Sequence, residues 1–268
     1  MMSILKKSAR TLRFVGAYAA ANLQAALEYR TAFAIQVLTM AASDCLWLFF
    51  WWTYFHQFPL TNGWQATDIV ILWAITASGF GIAAALFGNA PQLAALIMNG
   101  GLDAYLGMPR NVLLHVCIAA TSPSAWGDII FAAGAYLLLV HPDLLHIGLF
   151  IVLSLLVSLI FTAFTVVLCS LAFFMGNTEG LTQQMLGALV SFSTYPMNIF
   201  QGFVKLLLFT LVPAGFVSFM PLQLLHQFTW PLLGLMIGAT ALIVLVAVGV
   251  FSLGLRRYES GNLLGMQG

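Results

Sequence analysis

"LTQQMLGALVSFSTYPMNIFQGFVKLLLFTLVPAGFVSFMPLQLLHQFTW", residues 181–230, is apolar nearly throughout and much longer than one membrane crossing. A helix needs roughly 20 apolar residues to pass the hydrocarbon layer, so the stretch is too long for one span and too short for three with turns. Pro196, Pro213 and Pro221 divide it. Each removes a backbone donor and crowds the preceding helical turn. The segment therefore reads as one crossing followed by a hairpin of short helices, about residues 197–228, that dips into the outer leaflet and returns. Lys205 fits that reading, because it can snorkel out of a hairpin, whereas at the centre of a spanning helix it would cost roughly 2.5 to 3.5 kcal/mol.

The rest of the chain justifies speaking of a bilayer at all. Of 268 residues, 62% are hydrophobic and 6% charged, too few polar groups to coat a water-soluble fold. Further apolar runs lie at residues 31–55, 68–88, 123–140, 144–175 and 231–255. With the crossing in 181–230 they make an all-α integral membrane protein of six transmembrane helices. A net charge of +1 without a basic patch excludes nucleic acid as a partner. Cys45, Cys117 and Cys169 are far apart in apolar runs and read as packing residues. His56, His141, His146 and His226 map toward one side without a ligand-like spacing, so no metal is expected.

Basic residues set the orientation. Lys6, Lys7, Arg10, Arg13 and Arg30 precede the first run, and Arg256 and Arg257 follow the last, which places both termini in the cytoplasm. Residues 90–111, carrying Arg110, fall inside; residues 56–67 and the turn at His141 to Asp143 fall outside. Arg13 interrupts the only candidate signal core, so no cleavage is expected. Residues 1–30 read instead as an amphipathic interfacial helix, with Lys6, Arg10 and Arg13 on one face and Leu5, Ala9, Leu12, Ala19 and Leu23 on another. Small residues recur at four-residue spacing, Ala77, Gly81 and Ala85 in one run and Gly234 and Gly238 in another. Such faces suit close helix packing, within one subunit or between two.

The inner loop at 90–111 is longer than a turn requires. Leu93, Ala94, Leu96 and Ile97 have helical spacing, Gly100 and Gly101 stop that helix, and residues 102–106 form another turn before Pro109. Tyr105 and Leu106 then present an apolar knob rimmed by Asp103 and Arg110, either docking a partner or simply solvated.

Within the first run, Gln36, Met40, Asp44, Trp47 and Trp51 fall on one helical face. A carboxylate with aromatic neighbours suits an amphipathic or cationic passenger through charge pairing and cation–π attraction. The alternative has Asp44 bonded to another helix, with Trp47, Trp51, Trp52 and Tyr54 in an interfacial aromatic belt. Asp128 reads as a cap or helix contact. Tyr195 and Pro196 read as a gate or a kink.

"GGLDAYLGMPRN" at 100–111, "FSTYPMNIFQG" at 192–202 and "LRRYESGN" at 255–262 together resemble the permease subunits of type-2 ATP-binding-cassette (ABC) exporters, of the small six-span kind encoded beside a second permease and a separate ATPase. That resemblance covers nearly the whole chain. It implies a coupling helix that inserts into the ATPase, carried here by Leu102, Asp103, Tyr105, Leu106, Pro109 and Arg110, with Glu28 and Arg30 completing the contact. It further implies export of an amphipathic, cationic drug-like or lipid-like substrate by alternating access, with Met40, Asp44, Trp47, Trp51, Tyr195 and Pro196 along the path. Cytoplasmic ABC ATPase subunits, a second similar permease in a hetero- or homodimer, membrane lipids and a bacterial inner-membrane location come with it. No cofactor is expected in this chain; ATP and Mg belong to the partner ATPase. In agreement, no G-x-x-x-x-G-K-[ST] loop and no Gly-Lys pair occurs. Two rivals stay open on the residues alone: a membrane-embedded enzyme acting on lipid, which would have Asp44 and Asp128 as its in-span acids, and a channel or scaffold subunit.

Overall fold

The computed structural model describes residues 2–58 and 64–258. Most of the 256–268 tail, including half of "LRRYESGN", therefore lies outside the described residues. The chain is all-helical. Helix α1 (Met2–Glu28) breaks at Tyr29, where φ −101° and ψ 64° turn the chain into α2 (Arg30–Gln57). Next comes α3 (Ala66–Leu86), whose first turn is closed by a capping box between Gln65 and Asp68. The loop is itself helical: a 3₁₀ turn, Ala90–Gln92, leads into α4 (Leu93–Met98), then α5 (Asp103–Leu106) and α6 (Val112–Ile118). Asn111 starts α6 by accepting from the Leu114 amide at 3.0 Å.

Helix α7 (Ala125–Ala135) widens into a π turn, Tyr136–Val140, and stops at His141 in the left-handed region (φ 52°). Asp143 then caps α8 (Leu144–Ser170) by accepting from the His146 amide at 2.8 Å. A short α9 (Ala172–Met175) and Gly176 at φ 83° lead to α10 (Glu179–Ser193). Beyond Pro196 come α11 (Gly202–Thr210), a π turn Gly215–Phe219, α12 (Met220–His226) and finally α13 (Trp230–Leu255).

Among the described residues, four helices are long and apolar enough to cross a membrane, namely Arg30–Gln57, Ala66–Leu86, Leu144–Met175 and Trp230–Leu255. A fifth arises if Gly202–Thr210 and Gly215–His226, bent by 77°, count as one broken span. The two further crossings expected from sequence correspond to shorter helices. Ala125–Val140 and α10 reach only roughly 22 to 24 Å, less than the ~30 Å hydrocarbon layer. The proline-divided segment does fold as short helices meeting at an angle. Lys205 is exposed on α11, its Nζ 5.6 Å from the Phe219 ring.

Helix α3 is the centre of the bundle, packed by α7 on one flank and α8 on another. Small residues make this possible. A Cβ on Gly79 would run into Val157 of α8, and one on Gly81 would sit 2.9 Å from both Ala125 O and Asp128 Cβ of α7. Between α3 and α8 the hydroxyls of Ser78 and Ser154 meet at 2.7 Å. The Ala77, Gly81 and Ala85 face thus packs within the chain, whereas Gly234 and Gly238 have nothing within 4 Å of a built Cβ. At the hairpin end, His226 Nε2 lies 3.0 Å from Asp68 Oδ1 and hitches α12 to the start of α3.

Helix α1 meets the bundle along one side only. Ala19 and Leu23 turn partly toward the bundle, but Leu12 is 73% exposed. The side that meets the protein is built from Phe14, Tyr18 and Asn22, the last donating to Ile118 O at 3.0 Å. Side chains of Leu5, Lys6, Lys7 and Ala9 lie outside the described residues.

Candidate functional site

Two places carry the residues singled out in the sequence: the helical loop at one end of the bundle, and a cleft at mid-depth.

At the loop, Gly100 (φ 72°) reverses the chain after α4 and drops Leu102 into a cluster with Leu93, Ala94, Ile97, Val116 and Cys117. Leu102, expected among the contact residues, is completely buried and plugs the loop into the bundle. Tyr105 also turns inward. Its ring meets His115 of α6 edge-on, centroids 5.2 Å apart at 90°. His115, itself 5% exposed, has its Nε2 at 2.6 Å from Tyr18 Oη, and Phe14 closes the group with a ring contact at 5.4 Å. The Arg110 guanidinium lies 4.8 Å above Phe14.

One aromatic cluster therefore joins α1, the loop and α6. Phe14, Tyr18 and His115 were missed in the sequence, although aromatic residues four apart on an amphipathic helix are a usable signal. What the loop leaves outside is Leu106 and Met108, at 42% and 43% exposure, with Asp103, Pro109 and Arg110 around them. Tyr258 sits behind, its phenol pushed up to about 12 by burial and by the neighbouring Asp103 carboxylate. Glu28 and Arg30 flank the corner at Tyr29, both exposed.

Of the expected path residues, the cleft is lined by Met40 and Asp44. It has a volume of about 230 Å³ and is walled by α2 (Met40, Asp44), α3 (Trp73, Thr76, Phe80), α7 (Asp128) and α10 (Val190), with Thr194 at the end of α10. Trp47 stacks on Trp73 at 5.7 Å and 30°. Trp51 meets Tyr195 edge-on at 5.8 Å, forming a roof between α2 and the end of α10, and Pro196 is buried at the break that follows. Trp51 faces inward rather than joining a belt; Trp52, 59% exposed, keeps that outward position.

Of the two expected roles, Asp128 takes the helix contact and not the cap. It is 2% exposed and faces Asp44, 5% exposed, closely enough for the two carboxyl groups to hydrogen-bond. Gly127 explains the approach, because a Cβ there would meet Val37 O and lie 2.8 Å from Met40 Cβ, so only glycine lets α7 press onto α2. Oδ2 of each acid has no hydrogen-bond partner. Nearby Thr76 and Thr194 direct their hydroxyls to the carbonyls of Leu72 and Ser191, both at 2.8 Å. On geometry alone, paired acids can receive a cation or take part in proton transfer.

Comparison with known proteins places the chain in a family. No curated protein and no solved structure matches the chain. Residues 41–262, however, match the family model described as ABC-2 family transporter protein, a span that takes in the cleft, the loop and the hairpin. With an apolar helical bundle, a clamped loop at one end and a cleft in the middle, the chain belongs to the ABC-2 transporter family, as a membrane permease component that works with an ABC ATPase.

Proposed function

We propose that this chain exports an amphipathic substrate, cationic drug-like or lipid-like, by alternating access through the cleft between α2 and α10, driven by a cytoplasmic ABC ATPase that docks on the loop at 90–111. One observation carries the reading. The loop is plugged by Leu102 and locked by the Phe14, Tyr18, Tyr105 and His115 cluster, yet leaves Leu106 and Met108 exposed at its tip. A rigid knob of that kind transmits a push; a loose loop would absorb it. Asp103, Pro109 and Arg110 form the rim of the contact, and Glu28 and Arg30 extend it. In this reading α1 lies in the cytoplasmic interface of the bacterial inner membrane, both termini are cytoplasmic, and Ala125–Val140 and α10 complete six crossings by local thinning of the bilayer. A second, similar permease faces the exposed side of α2 and α10, while ATP and Mg stay on the ATPase.

The test is purification from the native membrane. An ABC ATPase should accompany the wild-type chain and be lost, with the permease still folded, when Leu106→Asp and Met108→Asp are combined. If no ATPase accompanies the chain, or if the double variant retains it, the reading fails. Cysteine placed at Met108 should resist an impermeant maleimide on intact cells and react in inverted vesicles; the opposite pattern would overturn the topology.

A further inference from the structure

We infer that Asp44 and Asp128 together form a binding subsite for the ammonium head of an amphipathic cation. The inference rests on the permease reading and adds to it the second acid, the headgroup chemistry and the size of the head.

Four observations converge. First, the two acids are 95% and 98% buried at mid-bundle by their exposures of 5% and 2%, and both line the cleft with an Oδ2 that nothing in the protein satisfies. A buried acceptor without a donor costs free energy, and a bound donor removes that cost. Second, no basic side chain faces the pair among the described residues. On α2 the other charged or titratable groups are Arg30 at one end, Tyr54 and His56 near the other, and Cys45, which is exposed; on α3 Asp68 is engaged by His226; on α10 Glu179 lies in the first turn, far from Thr194. Acids at membrane depth normally face a partner of opposite charge, and here the protein supplies none.

Third, the walls suit a cation. The indole of Trp73 and the ring of Phe80 border the acids, and aromatic faces attract ammonium groups. Fourth, the space fits a head rather than a whole passenger. A cavity of roughly 150 Å³ holds a benzene ring, so about 230 Å³ accepts an ammonium with a few attached carbons. The tail then leaves past Trp47, which stacks on Trp73 and is 44% exposed. Glycines build the arrangement: without side chains at Gly81 and Gly127, α7 seats Asp128 against both α3 and α2.

The experiment uses the full chain in phosphatidylcholine nanodiscs, titrated with decylammonium and, separately, with its neutral counterpart decanol, reading tryptophan fluorescence after subtracting empty discs. Decylammonium should bind saturably and decanol should not. Asp44→Asn and Asp128→Asn should each weaken decylammonium binding by about tenfold or more, since each removes one carboxyl of the pair that shares the buried charge but keeps the shape. Their melting temperatures guard against misfolding, and Trp73→Phe supplies an independent variant that should weaken binding several-fold without touching either acid. Discs containing phosphatidylethanolamine distinguish the source: competition assigns the site to a lipid head, lack of competition to a foreign amphiphile, and either supports the subsite. Equal affinity in the Asn variants, or equal binding of decanol, overturns it. ATPase lost on purification sinks the permease reading; ATPase retained with unchanged binding in the Asn variants sinks only the subsite.

Discussion

Helices α2 and α3 are neighbours in sequence, similar in length and both apolar, yet the structure uses them in opposite ways. In its most apolar window α3 is 72% buried, while α2 is only 11% buried and touches the bundle through Val37, Asp44, Trp51 and Phe55. Hydropathy does not explain the difference: α3 is the more apolar of the two, but α13 is more apolar than either and only 17% buried in its own window. The difference lies in side-chain size: α3 offers Ala77, Gly79, Gly81, Ala83 and Ala85, which admit two other helices to close range, whereas α2 carries large residues on most sides. In lipid, where apolar surface alone gives helices no reason to associate, close approach decides which one becomes the centre. It also separates roles, since α3 provides a fixed wall for the cleft and α2 a wall attached along one stripe.

That contrast can be broken. The largest effect is expected from Gly81→Leu, which forces a branched side chain into the backbone of α7 from the fixed wall. A loss of about 3 kcal/mol is expected, read as a marked fall in melting temperature and folded yield in detergent. Next comes Gly127→Ala, whose added methyl meets Val37 O on the lightly attached wall. About 1 to 2 kcal/mol should be lost, and decylammonium binding should weaken with it as Asp128 moves off Asp44. Stability that fell more for Gly127→Ala than for Gly81→Leu would reverse the assignment of the two walls. The smallest effect belongs to Gly238→Leu on α13, where a built Cβ meets nothing within 4 Å. A change within about 0.5 kcal/mol is expected for the isolated chain. Loss of assembly in that variant, with the monomer intact, would place the second permease on α13 rather than along α2 and α10.

Much of the fold could be read directly. Apolar runs mark the four long helices because burial in lipid demands them, Gly100 marks the reversal after α4, and Pro196, Pro213 and Pro221 mark the segment that cannot be one straight span. The site was legible only along single helices. Met40, Asp44, Trp47 and Trp51 share a face by periodicity; of these, Met40 and Asp44 line the cleft, while Trp47 and Trp51 make ring contacts with Trp73 and Tyr195. Asp128 lies far from Asp44 in the chain, and its partner follows only from Gly127 letting α7 approach α2. The same holds for His115, distant from Tyr18 yet bonded to it, and for Leu102, whose burial depends on Val116 and Cys117 closing over it. Periodicity speaks of neighbours on one helix. Tertiary approach is set by which residues are absent between two.

The ring pair that roofs the cleft has a consequence for leakage. An edge-to-face contact such as Trp51 on Tyr195 contributes about 0.5 to 1.5 kcal/mol, only one to three times thermal energy at room temperature. A door latched so lightly rattles open on its own, many times over, without any fuel being burned. In the export reading proposed above, tightness against ions then falls to the close packing of α7 against α2 and α3, and the work done at the far end of the bundle is free to move the passenger.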